Sequence, residues 1–282
     1  MKSLSLRLRA ALLTSVVLLA GPAWAQSSPY YLGVAQSLGY ESNLYRLGDN
    51  QVLPDGLSKS DTVSGTSLVA GVDQTIGRQR VYGSANLRAN RYSSNKSLNN
   101  DSYGLNLALD WETVNKLSGT VSLAADQNLA QFNSRNTSGT VETKKNVQRT
   151  LSVDGKARLG LVGLYSLEAT LGRRERAYSA AEYDASEYHQ NMASLGLRWR
   201  PNASLQLGAA LRGTQATYPR FRQVGIDTFE ADRLNRQDID LTAYWQPSGL
   251  SQINARVSPT RTRYRRDTGS DFSGLTGSAS WA

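Results

Sequence analysis

The clearest indication of the fold is the stretch "YGLNLALDWETVNKLSGTVSLAAD", residues 103–126. Apolar side chains occupy every second position on both sides of a short polar interruption. They stand at Tyr103, Leu105, Leu107, Leu109 and Trp111 in the first half, and at Leu117, Val121, Leu123 and Ala125 in the second. Alternation with a period of two is typical of half-buried β-strands. Two such runs joined by a few residues predict an antiparallel hairpin.

The same hairpin recurs between Tyr31 and Trp281, and the pattern predicts twelve strands including the last. Short turns are predicted at 74–79, 112–116, 160–164, 200–204 and 246–250, and longer polar loops at 41–60, 93–101, 127–146, 174–187, 215–237 and 265–271. Short turns at one end and long loops at the other, with strands of about ten residues, are typical of all-β, antiparallel, up-and-down transmembrane β-barrels. Only a helix or a closed sheet satisfies its backbone inside lipid. A secreted soluble β-sandwich or solenoid is the alternative, because alternation alone fits any half-buried sheet.

The first 25 residues predict a cleaved signal peptide rather than part of the fold. Its positive start contains Lys2, Arg7 and Arg9. Residues 10–20 are apolar but too short to span a membrane as a helix, and "AWA" at 23–25 is a small-x-small cleavage signal. An uncleaved membrane anchor is the alternative. We therefore expect residues 26–282 to form the barrel and to reach the outer membrane of a bacterial cell.

The composition limits the kinds of site that the chain can build. It has no cysteine, which excludes disulfides and thiolate metal sites, and His189 is its single histidine, which argues against an imidazole metal centre. We expect no metal and no cofactor. The chain carries a formal net charge of +9, and 20% of its residues are charged. In a secreted barrel we expect the basic stretches "RRER" at 173–176 and "RTRYRR" at 261–266 to contact lipopolysaccharide phosphates or an acidic glycan rather than nucleic acid.

Aromatic and charged side chains are ordered along the predicted strands. Tryptophans stand where strands meet short turns, as expected of a membrane-interface ring, at Trp111, Trp199, Trp245 and Trp281. If the apolar faces meet lipid, the alternate positions point into a hydrated lumen. The candidate lumen-lining residues are Arg80, Tyr82, Arg88, Asp110, Glu168, Arg198, Arg212, Asp240, Tyr244 and Arg256. The simpler alternative is that most of these groups only satisfy one another.

One stretch carries a resemblance that periodicity does not supply. "YLGVAQSLGYESNLYRLGD", residues 31–49, resembles the opening of the porin-type β-barrel outer-membrane proteins encoded in bacterial exopolysaccharide biosynthesis operons. "RWRPNASLQLG" at 198–208, "AYWQPSGLSQINARV" at 243–257 and "SPTRTRY" at 258–264 are also similar to that family. The positions that match its motif are Asn43, Leu44, Tyr45 and Arg46. The alternative is that this segment is a loop that folds into the barrel mouth and packs there.

The resemblance implies a role in making or exporting an extracellular polysaccharide, as conduit or accessory component. Implied partners are outer-membrane lipid and lipopolysaccharide, a polysaccharide, and periplasmic export or synthesis proteins. Two other functions stay open: a general diffusion porin for small polar solutes, and an outer-membrane enzyme acting on glycan or lipid. We expect no enzyme, because His189 has no serine and carboxylate partners at a set spacing.

The last stretch, "GLTGSASWA" at 274–282, lines up with the ends of two earlier strands that precede a short turn. Twelve strands could close as they stand, with an even count. The comparison with the earlier turns favours a chain that continues beyond Ala282 into further strands. The strand number matters because it sets the width of a barrel.

Overall fold

The computed structural model describes residues 28–48, 51–114, 116–132, 143–160 and 164–282. Within these ranges the chain forms twelve β-strands. They are β1 (Tyr30–Glu41), β2 (Asp61–Ile76), β3 (Gln79–Tyr92), β4 (Asn100–Glu112), β5 (Leu117–Leu129), β6 (Val147–Leu159), β7 (Tyr165–Tyr178), β8 (Tyr188–Trp199), β9 (Leu205–Gly225), β10 (Thr228–Ser248), β11 (Ser251–Tyr264) and β12 (Phe272–Trp281). The predicted signal peptide, residues 1–25, lies outside the described residues, as do parts of four predicted connections.

The strands pair in chain order within one sheet, and each ladder is antiparallel to the next. In the hairpin of β4 and β5, Trp111 lies opposite Gly119, and Leu107 lies opposite Leu123. The predicted fold class, all-β with an up-and-down order of about twelve strands, is confirmed. In the ladders formed by the described residues, β1 pairs only with β2 and β12 only with β11, so these two strands are the sheet edges.

Among the residues that the structure describes, helical structure is confined to the long connections. Three short 3-10 helices occur in the described ranges, at Lys96–Leu98, Ala181–Ser186 and Thr268–Ser270. None of the helices found in those ranges has the length and apolar character needed to cross a membrane.

One predicted loop is a strand instead. Residues 215–237 were expected to form a long polar loop, but β9 and β10 run through most of this segment as strands of 21 residues each. The connection is only Ile226 and Asp227, and Asp227 adopts a left-handed backbone with φ 54°. The expectation was wrong because strands were recognised by alternating apolar side chains. Backbone hydrogen bonds hold two paired strands together, so β9 and β10 stay paired beyond the apolar band without apolar side chains.

The register gives the sheet two chemically different faces. On β7 to β11, odd-numbered side chains are mostly exposed and even-numbered ones more shielded: Ile239 is 49% exposed, whereas the Asp238 side chain is 0% exposed. We call the first side the apolar face and the second the polar face. Exposed apolar side chains on the first include Leu171, Leu195 and Leu211.

The buried hydrophobic core lies at the long-loop end of the sheet. Tyr45, Leu47, Leu98 and Phe132 form this mouth cluster, and all four are at least 92% shielded. The Tyr45 and Phe132 rings are tilted against each other with centroids 4.7 Å apart. The segment between β1 and β2 is therefore anchored against the connections that follow β3 and β5.

Candidate functional site

A single carboxylate on the polar face collects three cations from neighbouring strands. Glu168 on β7 lies 2.6 Å from the Lys156 ammonium and 3.3 Å from the Arg158 guanidinium, both on β6. It lies 3.0 Å from the Arg198 guanidinium on β8. Gly196 is the register partner of Glu168. We call this group the Glu168 cluster, and its cations outnumber its carboxylate.

A second cluster lies three strands further along the sheet. Arg212 on β9 approaches Asp240 at 2.9 Å and Asp238 at 3.4 Å, both on β10. Arg236 lies 2.8 Å from Asp238, and Arg256 on β11 lies 3.4 Å from Asp240. We call this group the Asp238–Asp240 cluster.

Two hydroxyl groups complete the second cluster. Thr260 donates a 2.6 Å hydrogen bond to Asp238, and Ser258 donates a 2.5 Å hydrogen bond to Asp240. Both hydroxyl residues are buried. Buried charges are tolerated when they are paired and hydrogen-bonded, and these carboxylates meet both conditions.

A cavity of about 180 Å³ lies between the two clusters. Glu168 and Arg198 line one side of it and Asp240 lines the other. Its floor is built from small residues: Gly196 and Ala210 are register partners, and a Cβ on Gly196 would lie 2.6 Å from the Ala210 Cβ. The small side chains leave open space bounded by charge on both sides, which suits a polar solute.

The remaining predicted lumen residues are spread over the same face. Arg80 pairs with Asp73 at 2.6 Å and lies over the Tyr82 ring, 4.8 Å from its centroid. Arg88 donates a 2.6 Å hydrogen bond to Ser37 of β1.

Two further predicted lumen residues make local hydrogen bonds. Asp110 accepts a 2.6 Å hydrogen bond from the Thr120 hydroxyl. Tyr244 donates to Gln246 at 3.2 Å, near the short-turn end. The ten predicted residues therefore form separate local groups, of which the Glu168 and Asp238–Asp240 clusters each gather three cations.

The four motif positions form a tight turn that packs at the mouth. The Asn43 side chain accepts from the Leu47 N–H at 2.9 Å and donates to the Leu47 carbonyl at 3.0 Å. Arg46 sits in the left-handed region with φ 52° and is exposed, whereas Tyr45 is 1% exposed. Leu44 packs against the mouth cluster. This geometry favours the packed-loop alternative over a binding role for the four residues.

A buried polar network holds this turn to the sheet. The Tyr45 hydroxyl donates to the Asn95 side-chain oxygen at 3.0 Å. Asn95, 2% exposed, donates in turn to Asp61 at 2.9 Å and to the Ser58 carbonyl at 3.0 Å. Asp61 also accepts backbone N–H bonds from residues 93–95 at 3.0, 3.0 and 2.7 Å. Burial raises the pKa of the Tyr45 hydroxyl, and the nearby Asp61 carboxylate raises it further.

The predicted interface tryptophans lie on the apolar face at the short-turn end. Trp245 and Trp281 are both register partners of Ile253. Trp281 donates a 2.6 Å hydrogen bond from its indole nitrogen to Ser251. The Trp111 ring covers Gly119, where a Cβ would come within 2.6 Å of the ring.

Periodicity did not single out Lys156 and Arg158, although the alternation on β6 places both on the face opposite its apolar side chains. It also missed the pairing of Asp61 with Asn95, which are 34 residues apart and belong to no periodic pattern. In the part of the chain that the structure describes, no group of three or more His, Cys, Asp or Glu side chains could hold a metal ion.

Two solved structures of outer-membrane proteins are similar to this chain in fold. One solved structure with a similar fold is OmpTΔL8, a loop L8 deletion mutant of OmpT, an outer-membrane protein of Vibrio cholerae. It is 10% identical, covers 88% of this chain and 76% of its own, and has a TM-score of 0.47. In-vitro folded OmpT of the same organism is 8% identical, covers 91% of this chain and 99% of its own, and has a TM-score of 0.42. No family model matches the sequence, and no curated protein matches it.

The prediction that this protein is not an enzyme is corrected. It rested on the isolation of His189 in the sequence. The fold is an up-and-down antiparallel sheet, and a fold by itself excludes no activity. The polar face also gathers carboxylates and cations, groups that can transfer protons without histidine. The exclusion of catalysis is therefore withdrawn.

Proposed function

We propose that this protein is an outer-membrane β-barrel that takes part in exopolysaccharide biosynthesis or export, with its polar face lining the path of an anionic polar solute. The apolar face supports the membrane placement. Its leucines remain exposed on the isolated chain, for example Leu171 at 67% and Leu211 at 65%. Such a surface is stable in hydrocarbon and unfavourable in water. The tryptophans at the short-turn end suit a membrane interface.

The excess of cations on the polar face is the observation that supports an anionic solute. Three cations share one carboxylate in the Glu168 cluster, and three arginines share two carboxylates in the other. Both clusters therefore keep net positive charge next to the cavity between them. A positive wall concentrates anions in front of it, as expected for an acidic glycan. The exopolysaccharide assignment itself rests on the family resemblance of the segment at 31–49.

A general diffusion porin is the second candidate. The carboxylates of both clusters are fully paired, and the polar face carries side chains of both signs from β3 to β11. Such a wall also suits unselective passage of small hydrated solutes. The two candidates differ in whether a long anionic polymer enters the path.

Planar-bilayer recording of the purified protein separates them. Under a salt gradient, we expect anion preference in the wild type, and we expect added anionic polysaccharide to block the current. Replacing Arg198 and Arg212 by Gln should reduce both the preference and the block. The matched control removes two arginines from the apolar face, Arg149 and Arg173, and should leave both unchanged. Free passage of small ions with no effect of polymer would refute export and favour the porin.

A further inference from the structure

The apolar face changes character abruptly along β9 to β12. One row across these strands is apolar, consisting of Leu211, Ile239, Pro259 and Leu275. The next row toward the long loops is polar or small, consisting of Gly213, Gln237, Arg261 and Ser273. Both rows line one groove of about 730 Å³. We call it the belt groove.

Arginines continue above this groove on the same face. Arg263 lies opposite Asn235 in the register, and the Arg265 N–H bonds to the Arg233 carbonyl one step further on. Arg263 is paired with Asp271 at 3.1 Å. Within the described ranges no ion pair ties Arg261 or Arg233 to a carboxylate, and both residues are exposed.

The groove continues onto the neighbouring strands. A second cavity of about 890 Å³ shares Gly213 and Gln237 with the belt groove. It is lined by apolar residues such as Leu171 below and by amides such as Asn191 and Gln215 above. The boundary between apolar and polar side chains is therefore continuous from β6 to β12.

We propose that the belt groove binds a phosphorylated, multiply acylated glycolipid of the outer membrane leaflet. Arg261 and Arg233 bind its phosphate, and an acyl chain lies along the row of Leu211, Ile239 and Leu275. The occupant follows from chemistry: exposed guanidinium groups without carboxylates attract phosphate. The apolar row directly below them would meet hydrocarbon. This inference rests on the membrane placement proposed above, with the long loops outside.

Native mass spectrometry of the protein in detergent tests the phosphate. The probes are lipid A with its phosphates, the same lipid after dephosphorylation, and inorganic phosphate as competitor. Replacing Arg233 and Arg261 by Gln should weaken binding of phosphorylated lipid A by about tenfold or more, because it removes both charge-assisted contacts to the phosphate. The matched control replaces two exposed arginines of the short turns, Arg78 and Arg200, by Gln.

A substitution of Gly213 tests the acyl chain separately. A Cβ built on Gly213 meets nothing within 4 Å, so Gly213→Phe should fold and fill the groove. We expect it to weaken lipid binding without changing bilayer conductance. Equal binding by all variants, equal binding of dephosphorylated lipid, an equal loss in the short-turn control, or full competition by inorganic phosphate would each overturn the proposal. Conductance of the same variants reports separately on the proposed function.

Discussion

Neutralising Glu168 should destabilise the sheet more than neutralising any exposed carboxylate of β7. The Glu168 side chain is 17% exposed, and Glu168→Gln leaves three cations on adjacent strands without a counter-charge. The Arg158 and Arg198 side chains are 27% and 26% exposed, so each pair is worth about 1 kcal/mol, between the surface and buried values. Lys156 is 37% exposed, and its pair is worth about 0.5 kcal/mol after solvent screening. The expected loss is about 2.5 kcal/mol.

Urea unfolding in detergent micelles, followed by tryptophan fluorescence, measures this loss. The matched control is Glu175→Gln on the same strand, whose single partner Arg173 is 55% exposed while Glu175 itself is 43% exposed. That control should cost less than about 0.5 kcal/mol. Equal losses in the two variants, or a loss below about 0.5 kcal/mol for Glu168→Gln, would show that the cluster does not hold the strands together.

Three further outcomes follow from the mouth and from the tryptophan row. Asn95→Ala should lower the free energy of unfolding by about 2 kcal/mol, because it leaves buried partners unsatisfied. Hydrogen exchange should become faster at residues 42–48 and 51–60, and unchanged exchange there would contradict the network. Because folding raises the pKa of Tyr45, its neutral hydroxyl stabilises the folded mouth fully at pH values below the unfolded pKa of about 10. This stabilisation is lost as the pH rises through the folded pKa. A proteolysis titration should therefore show alkaline loosening of the mouth that is absent in Tyr45→Phe; the same loosening in both proteins would exclude Tyr45 as its cause. Gly119→Ala should lower the free energy of unfolding in urea by about 1–3 kcal/mol, since its Cβ would overlap the Lys156 backbone oxygen of β6 and lie 2.6 Å from the Trp111 ring. Gly155→Ala, whose Cβ would meet open space, is the neutral control, and equal losses would refute the steric argument.

Alternation made most of the sheet predictable. Leu105, Leu107 and Leu109 show the period of two and identify the apolar face of the strand. The apolar face in turn sets the pairing register, because a slip of one residue would turn the apolar side chains to the other face. The same logic located Glu168 and Arg198 on one face, since each alternates with apolar neighbours. It failed where both faces are polar, as in the segment at 215–237, because nothing there distinguishes a strand from a loop.

The mouth could not be predicted from period or composition. Its structure depends on the contact of Tyr45 with Phe132 and on the bond from Asn95 to Asp61, which join segments far apart in the chain. Non-local contacts of this kind leave no regular spacing in the sequence. The resemblance singled out the segment at 43–46, which the structure shows packed at the mouth.

The long β9–β10 hairpin has a consequence for engineering the protein. Past Leu211, β9 continues for about 46 Å beyond the apolar band, and β10 extends about 36 Å beyond Ile239, at about 3.3 Å per residue. The tip at Ile226 and Asp227 therefore stands well away from the clusters, and an exposed hairpin tip tolerates added residues. Under the proposed membrane placement, an epitope or affinity sequence inserted between these two residues would label intact cells while leaving the polar face and the belt groove as they are.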